Sequence, residues 1–289
     1  MVEGQADDKR TRADELIRFL LPEARARGAI IRGKHIIEQA TRIHGLQGEP
    51  AQLFGHVLLS SILLLSVSKG GVRQVLQLDA KDEHAPVLRM QAECRAGIVR
   101  GYVQWNESAV QGLSGEGITA WMGKEVLLST VRDLGIGQPY VSTIQHDSDW
   151  LAEHIMHYLA QSAQVEADIV LHGNLALMIE AMPGCDDKSW FQAVEALATI
   201  SNQTLERESP DAILQAFAKL GCKVVGKDSY QYACFCSAES MKQVLHGMGQ
   251  DALRELANEQ GDVVLSCQYC KQTYQVNIND KEDKNAAKC

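Results

Sequence analysis

The sequence predicts an α+β protein: an N-terminal, mostly antiparallel sheet domain with helices, a helical linker, and a small C-terminal unit built around cysteines. Three observations predict it. Short β-patterned runs separated by turn residues follow one another between residues 72 and 144, and strands in succession with short connections imply antiparallel pairing. Helical stretches flank this series instead of alternating with it, which favours α+β over a doubly wound sheet. Four of the eight cysteines form two close pairs near the C-terminus.

Element by element, Leu16, Phe19 and Leu20 give residues 12–21 a helical spacing that Pro22 ends. Ala29–Arg32 reads as a short strand, and His35–Ile43 as a helix closed by Gly45. Pro50–Ser68 reads as a buried apolar helix; its apolar stretch, Leu53–Val67, is interrupted by His56, Ser60, Ser61 and Ser66 and is too short to span a bilayer. Strands are expected at Val72–Leu78, Val87–Ala92, Gly97–Trp105, Ile118–Met122, Val126–Val131 and Val141–Ile144. Residues 148–162 return to helical spacing, and two strands near Asp168–Leu171 and Leu175–Met182 turn at Gly173-Asn174. Pro183-Gly184 breaks the chain.

Two helical stretches follow, about 187–202 and 209–220, with apolar faces made by Trp190, Phe191, Val194 and Leu197, then by Ile213, Leu214 and Phe217. Helices this short need a surface to lie against. Beyond them, Met241, Val244, Leu245 and Met248 mark a helix, and Ala252, Leu253 and Leu256 a second one closed by Gly261. Val263–Leu265 and Tyr274–Ile278 read as strands. The implied domains are 1–182, a docking linker at 183–230, a four-cysteine unit at 231–279 and a disordered charged tail at 280–289.

The net charge of −9 argues against a duplex-binding protein. Met1–Arg12 is polar and charged, without the apolar core of a secretory signal, so a cytosolic location with reduced thiols is expected. In that compartment clustered cysteines point to metal or redox chemistry. The motif is Cys234-Phe-Cys236, thirty intervening residues, then Cys267-Gln-Tyr-Cys270. Zinc favours four tetrahedral ligands and thiolates suit it. The unit has a thin apolar core, and domains of that size usually need a metal or disulfides to fold. The same thiolates are what an oxidant attacks.

This cysteine pattern at the C-terminus resembles the heat-shock protein 33 family. Arg27-Gly28, the apolar helix 53–67, Val99-Arg100-Gly101 and Ala181-Met182-Pro183 look like family landmarks in order. The resemblance implies a redox-regulated, ATP-independent chaperone, not an enzyme. Its zinc-bound reduced form would be a nearly inactive monomer. Its oxidised form would lose zinc, unfold the switch and linker, favour a homodimer and hold unfolding client proteins. On oxidation, Cys234 is expected to pair with Cys236 and Cys267 with Cys270, because neighbours stay close in an unfolded chain. The sequence departs from the family at Lys271, where Gly or Asn is frequent, and at Cys185 and Cys222, which match no family cysteine and read as inert buried residues.

Two other functions fit the sequence less well. A thiol oxidoreductase using Cys267 and Cys270 would want the pair at the start of a helix in a β-α-β pattern, which the sequence lacks. A zinc-ribbon nucleic-acid module fits poorly with five acidic and three basic side chains between 231 and 279. His146, His154 and His157, near Asp147 and Asp149, are better read as a helix surface than as a second metal site. Gly112–Glu116 fails as a nucleophile elbow, because Glu116 stands where a glycine is required.

Overall fold

A ten-stranded sheet is the frame on which the chain is built, and its residues explain its position. The computed structural model describes residues 13–108, 115–248, 253, 255–258 and 260–277. The charged tail, most of Gly112–Glu116 and part of the helix expected around Ala252 lie outside them. The chain divides into two units, Met1–Tyr232 and Ala233–Cys289.

In the first unit the order is β1 (Asp14–Leu21), a 3-10 turn (Pro22–Ala24), β2 (Ala26–Arg32), α1 (Lys34–His44), α2 (Gly48–Val67), β3 (Arg73–Ala80), β4 (Val87–Arg95) and β5 (Ile98–Trp105). Then come α3 (Gly117–Met122), β6 (Val126–Asp133), β7 (Tyr140–His146), α4 (Leu151–Tyr158) running into a π turn (Leu159–Ala163), β8 (Ala167–His172) and β9 (Leu175–Ala181). The helical segment holds α5 (Asp187–Ala198), α6 (Asn202–Arg207), α7 (Pro210–Ile213) and a 3-10 stretch (Leu214–Leu220), and β10 (Lys223–Tyr232) closes the unit. The second unit contains α8 (Ala238–His246), β11 (Asp262–Ser266) and β12 (Thr273–Asn277).

The large sheet runs β7-β6-β3-β4-β5-β10-β1-β2-β9-β8. Its ladders are antiparallel except where Gln231 and Tyr232 of β10 meet Ile98 and Val99 of β5 in parallel. β10 is therefore the joint between two half-sheets, bound to β1 from Lys223 to Tyr230 and to β5 at its last two residues. One face packs on α2, whose Phe54, Val57, Leu58 and Ile62 are fully buried. This helix is long and apolar enough to cross a membrane, but 78% of its apolar window is buried inside the protein, so it is the core helix expected from the sequence.

The opposite face divides in character. On the β1-β2-β9 side it carries Ile17, Phe19, Leu21, Ile30, Leu177 and Ile179, which pack with Leu197, Leu205, Ile213 and Phe217 of the helical segment. The rings of Phe19 and Phe217 stack at 5.6 Å between centroids. On the β3-β4-β5 side the face is polar, with Glu93 buried between Arg73 (2.6 Å) and Arg100 (2.6 Å).

Three expectations need correction. Residues 14–21 form a strand, not a helix: Leu16 belongs to the core under α2, while Ile17, Phe19 and Leu21 face the helical segment. Burial on both faces removed the alternation that would mark a strand. Ile118–Met122 is helical, placing Ile118, Trp121 and Met122 on the core. Phe191 does not share the docking face of α5; it is 65% exposed, and Ala193 and Leu197 are the buried positions. The stretch expected at 209–220 is divided into α7 and the 3-10 turn, and the segment before it, expected to be a polar connection, holds the short helix α6; the two helices are capped by the serine side chains of Ser201 and Ser209.

Candidate metal centre

The cysteines are placed by short backbone devices within the second unit. Cys234 and Cys236 lie in the extended stretch before α8, which begins with a capping box between Ser237 and Ser240. Cys267 and Cys270 stand in the turn between β11 and β12. There the Cys267 N–H donates to the Gln272 carbonyl at 2.9 Å and the Lys271 N–H to the Cys267 carbonyl at 2.8 Å. The same unit has a small core of Leu245, Leu253, Val263 and Val276. Among the described residues of this unit, four buried apolar side chains are little for independent folding.

The four sulfurs lie within 4.8 Å of one another. Cys234 Sγ is 3.8 Å from Cys267 Sγ, and Cys236 Sγ is 3.3 Å from Cys270 Sγ. A tetrahedron of thiolates around zinc at about 2.3 Å places its sulfurs roughly 3.8 Å apart. Burial pushes the Cys270 thiol up to about 12, aided by the neighbouring sulfurs and opposed by the Gln272 backbone N–H. Burial also raises Cys236, against a contact from the Tyr274 hydroxyl at 3.1 Å. The thiols of Cys236 and Cys270 thus resist ionising until a cation supplies the opposing charge. The donor set therefore fits a soft divalent metal, and the cluster is able to hold one.

The remaining candidates separate clearly. Cys94 is buried in the sheet core. Cys185 donates to the Ala24 carbonyl at 3.1 Å, and Cys222 packs beside the apolar face under the helical segment; burial raises both thiols. His146, His154 and His157 meet as ring contacts, 4.5 Å between centroids for His146 and His157. They do not converge as donors. The four cysteines are the one metal-competent group of this kind among the described residues. Tyr274, which touches Cys236 and donates to its carbonyl at 3.3 Å, was not singled out from the sequence. Its position four residues after Cys270, on the strand that leaves the turn, is the only signal that marks it.

The chain is 27% identical over 278 residues to the 33 kDa chaperonin of Desulfotalea psychrophila, covering 91% of this chain and 94% of that one. It is 26% identical over 279 residues to the 33 kDa chaperonin of Geobacter sulfurreducens, with 90% and 91% covered. The crystal structure of the 33 kDa chaperonin (heat shock protein 33 homolog) from Thermotoga maritima shares the fold, with a TM-score of 0.71 at 20% identity over 91% of this chain and 94% of that one. The family model of the Hsp33 protein matches residues 14–277 and so takes in all four clustered cysteines: the chain belongs to the Hsp33 family of chaperonins, which are chaperones and not enzymes.

Proposed function

We propose that the protein is a cytosolic, redox-switched holding chaperone, with Cys234, Cys236, Cys267 and Cys270 as zinc ligands in the reduced state. The observation that carries the proposal is the four-thiol cluster on a unit with only a small apolar core among its described residues. Zinc would contribute the binding energy that keeps this unit folded, roughly 10–16 kcal/mol in comparable peptides. An oxidant such as hydrogen peroxide takes two electrons from each thiolate pair and leaves as water. Disulfides Cys234–Cys236 and Cys267–Cys270 then form, and the donors that held the ion are gone.

The client-binding consequence lies in the first unit. Within the 183–230 segment, the helical part Asp187–Leu220 acts as the docking linker. Its Leu197, Leu205, Ile213 and Phe217 cover a continuous apolar sheet face. Released, both surfaces become the large exposed apolar patches that bind other apolar chains, and they favour a homodimer for the same reason. No nucleotide enters this scheme, so holding is independent of ATP.

The reading is tested by metal analysis and thiol counting before and after peroxide, beside light scattering of a heat-unfolding client. Reduced protein should carry one zinc and protect poorly, and oxidised protein should have lost zinc and protect well. Serine at any of the four cysteines should weaken zinc binding severely. Equal protection by the two forms would refute the switch.

A further inference from the structure

A second site lies on the α2 side of the sheet, away from the helical segment, and nothing in the redox scheme uses it. A cavity of about 310 Å³ opens where the C-terminal end of α2, β3, β6 and the π turn after α4 meet. That size is within the range of small-molecule sites, roughly 300–1,000 Å³. Its walls combine aliphatic side chains such as Leu64 and Leu159 with a compact polar set: Arg27, Glu180, Gln74, Arg132, Lys69 and Tyr158. Two of these are almost wholly buried, Gln74 at 1% and Glu180 at 4% exposure. A site of this construction is not an ordinary surface dimple.

The polar groups are unequally satisfied. Arg27 is committed: it pairs with Glu180, and its Nη2 donates to the Val67 carbonyl at 2.8 Å. The Gln74 amide donates to the Val75 carbonyl at 3.0 Å. Arg132, opposite Gln74 in the β3–β6 ladder, has a buried Nε–H with no protein acceptor. Its guanidinium is held by stacking over the Tyr140 ring, 5.2 Å from the centroid. Buried donors without acceptors are rare enough in folded proteins to need an explanation. Three cations against one carboxylate leave the cavity positive. The π turn forming one wall, Leu159–Ala163, is a rare local geometry that recurs at functional sites.

We propose that this cavity binds a small organic anion, its carboxylate on Arg132 and Lys69 and its short apolar body against the aliphatic wall. A charge-assisted bond to a guanidinium is roughly twice as strong as a neutral one, so the anionic group dominates recognition. The apolar wall adds selectivity for an organic anion over an inorganic one. The proposal does not depend on the redox reading, because it concerns the opposite face of the sheet.

The test is calorimetric titration of the reduced, metal-loaded full chain with hexanoate, its neutral amide hexanamide, and inorganic phosphate. Hexanoate should bind with a saturable isotherm, and the other two at least about tenfold more weakly. Arg132→Gln should weaken hexanoate by about tenfold and Lys69→Met, at an exposed position that does not endanger folding, by roughly threefold. Arg89→Gln, the same charge change on the other face, should leave it unaltered. No saturable binding of hexanoate at millimolar concentrations would overturn the site. Equal binding of hexanamide would overturn the charge assignment, and equal binding of phosphate the apolar one. Unaltered binding by both Arg132→Gln and Lys69→Met would place the anion elsewhere.

Discussion

At the scale of single residues, Lys271 and His56 make opposite demands on their surroundings. Lys271 sits at φ +60°, in the left-handed region, directly after Cys270. An L-residue there is roughly 1–2 kcal/mol less comfortable than in the right-handed form, and its N–H is needed by the Cys267 carbonyl. Asparagine tolerates the conformation without the extra unfolded-state freedom of glycine. Lys271→Asn is therefore expected to stabilise the loaded metal unit by about 0.5–1 kcal/mol, raising the chelator concentration for half-removal roughly two- to fivefold. A lowered requirement would disprove strain at this turn. His56 is buried on α2 and donates to the Gly173 carbonyl at 3.1 Å. Burial brings its pKa down from the ordinary 6.5 to about 4. The folded state thus refuses a proton that the unfolded state accepts, so stability is intact above the unfolded pKa and falls as pH drops from about 6.5 to about 4. Between pH 7 and pH 5 the loss from this group is on the order of 2 kcal/mol. His56→Gln should remove that part of the slope in urea unfolding curves at the two pH values; an identical slope in the variant would assign the acid sensitivity elsewhere. The cysteine cluster and the oddity of Lys271 were both legible in the sequence, because spacing and turn chemistry are local. The contact of Tyr274 with Cys236 and the depressed His56 were not, because each is created by burial that only the folded chain provides.

At the scale of elements, the sequence was readable wherever one face met solvent. α1 with its Gly45 cap, the hairpins of β3 to β7, the turn at Gly173-Asn174 and the strands around Cys267 and Cys270 all formed as their patterns implied. Two-sided burial hid β1, and short length hid α3. β10 was hidden for a different reason: Gly226 and Asp228 interrupt its β-pattern, and its pairing with β1 joins residues some two hundred positions apart. This strand now occupies the place between the helical segment and the first metal-site cysteine. Its last residue, Tyr232, is 1% exposed; its hydroxyl donates to the Gly101 carbonyl at 2.8 Å and contacts His44 Nε2 at 3.1 Å. Tyr232→Phe leaves the Gly101 carbonyl without that donor, a loss of about 1–3 kcal/mol. The parallel contact with β5 should then open more readily. Hydrogen exchange of the Gln231 amide, which donates to the Gly97 carbonyl, should accelerate by about tenfold while amides in the β1-paired part change little. Unchanged exchange at Gln231 would show that the hydroxyl does not hold the joint.

At the scale of the whole molecule, the proposal makes covering and uncovering of one sheet face the step that creates activity, with the metal site upstream of it. These two layers are separable by mutation. Phe217 is fully buried, stacks on Phe19 and belongs to the helical segment, not to the metal unit. Truncating such a ring to alanine costs about 3–5 kcal/mol, an amount comparable with the whole stability of a modest domain. The short helices α5 to α7 have little independent stability to set against it. Phe217→Ala should therefore loosen the segment while the four thiols and their ion stay as they were. The expected outcome is a reduced protein that retains its zinc yet suppresses client aggregation, approaching the oxidised wild type. Leu205→Ala, a smaller cavity on the same face, should fall between the two. Circular dichroism and metal content keep global unfolding apart from local release. If Phe217→Ala keeps its metal, shows the segment released by hydrogen exchange and still fails to protect a client, the covered face is not the client-binding surface. Activity would then have to come from the unfolded metal unit itself.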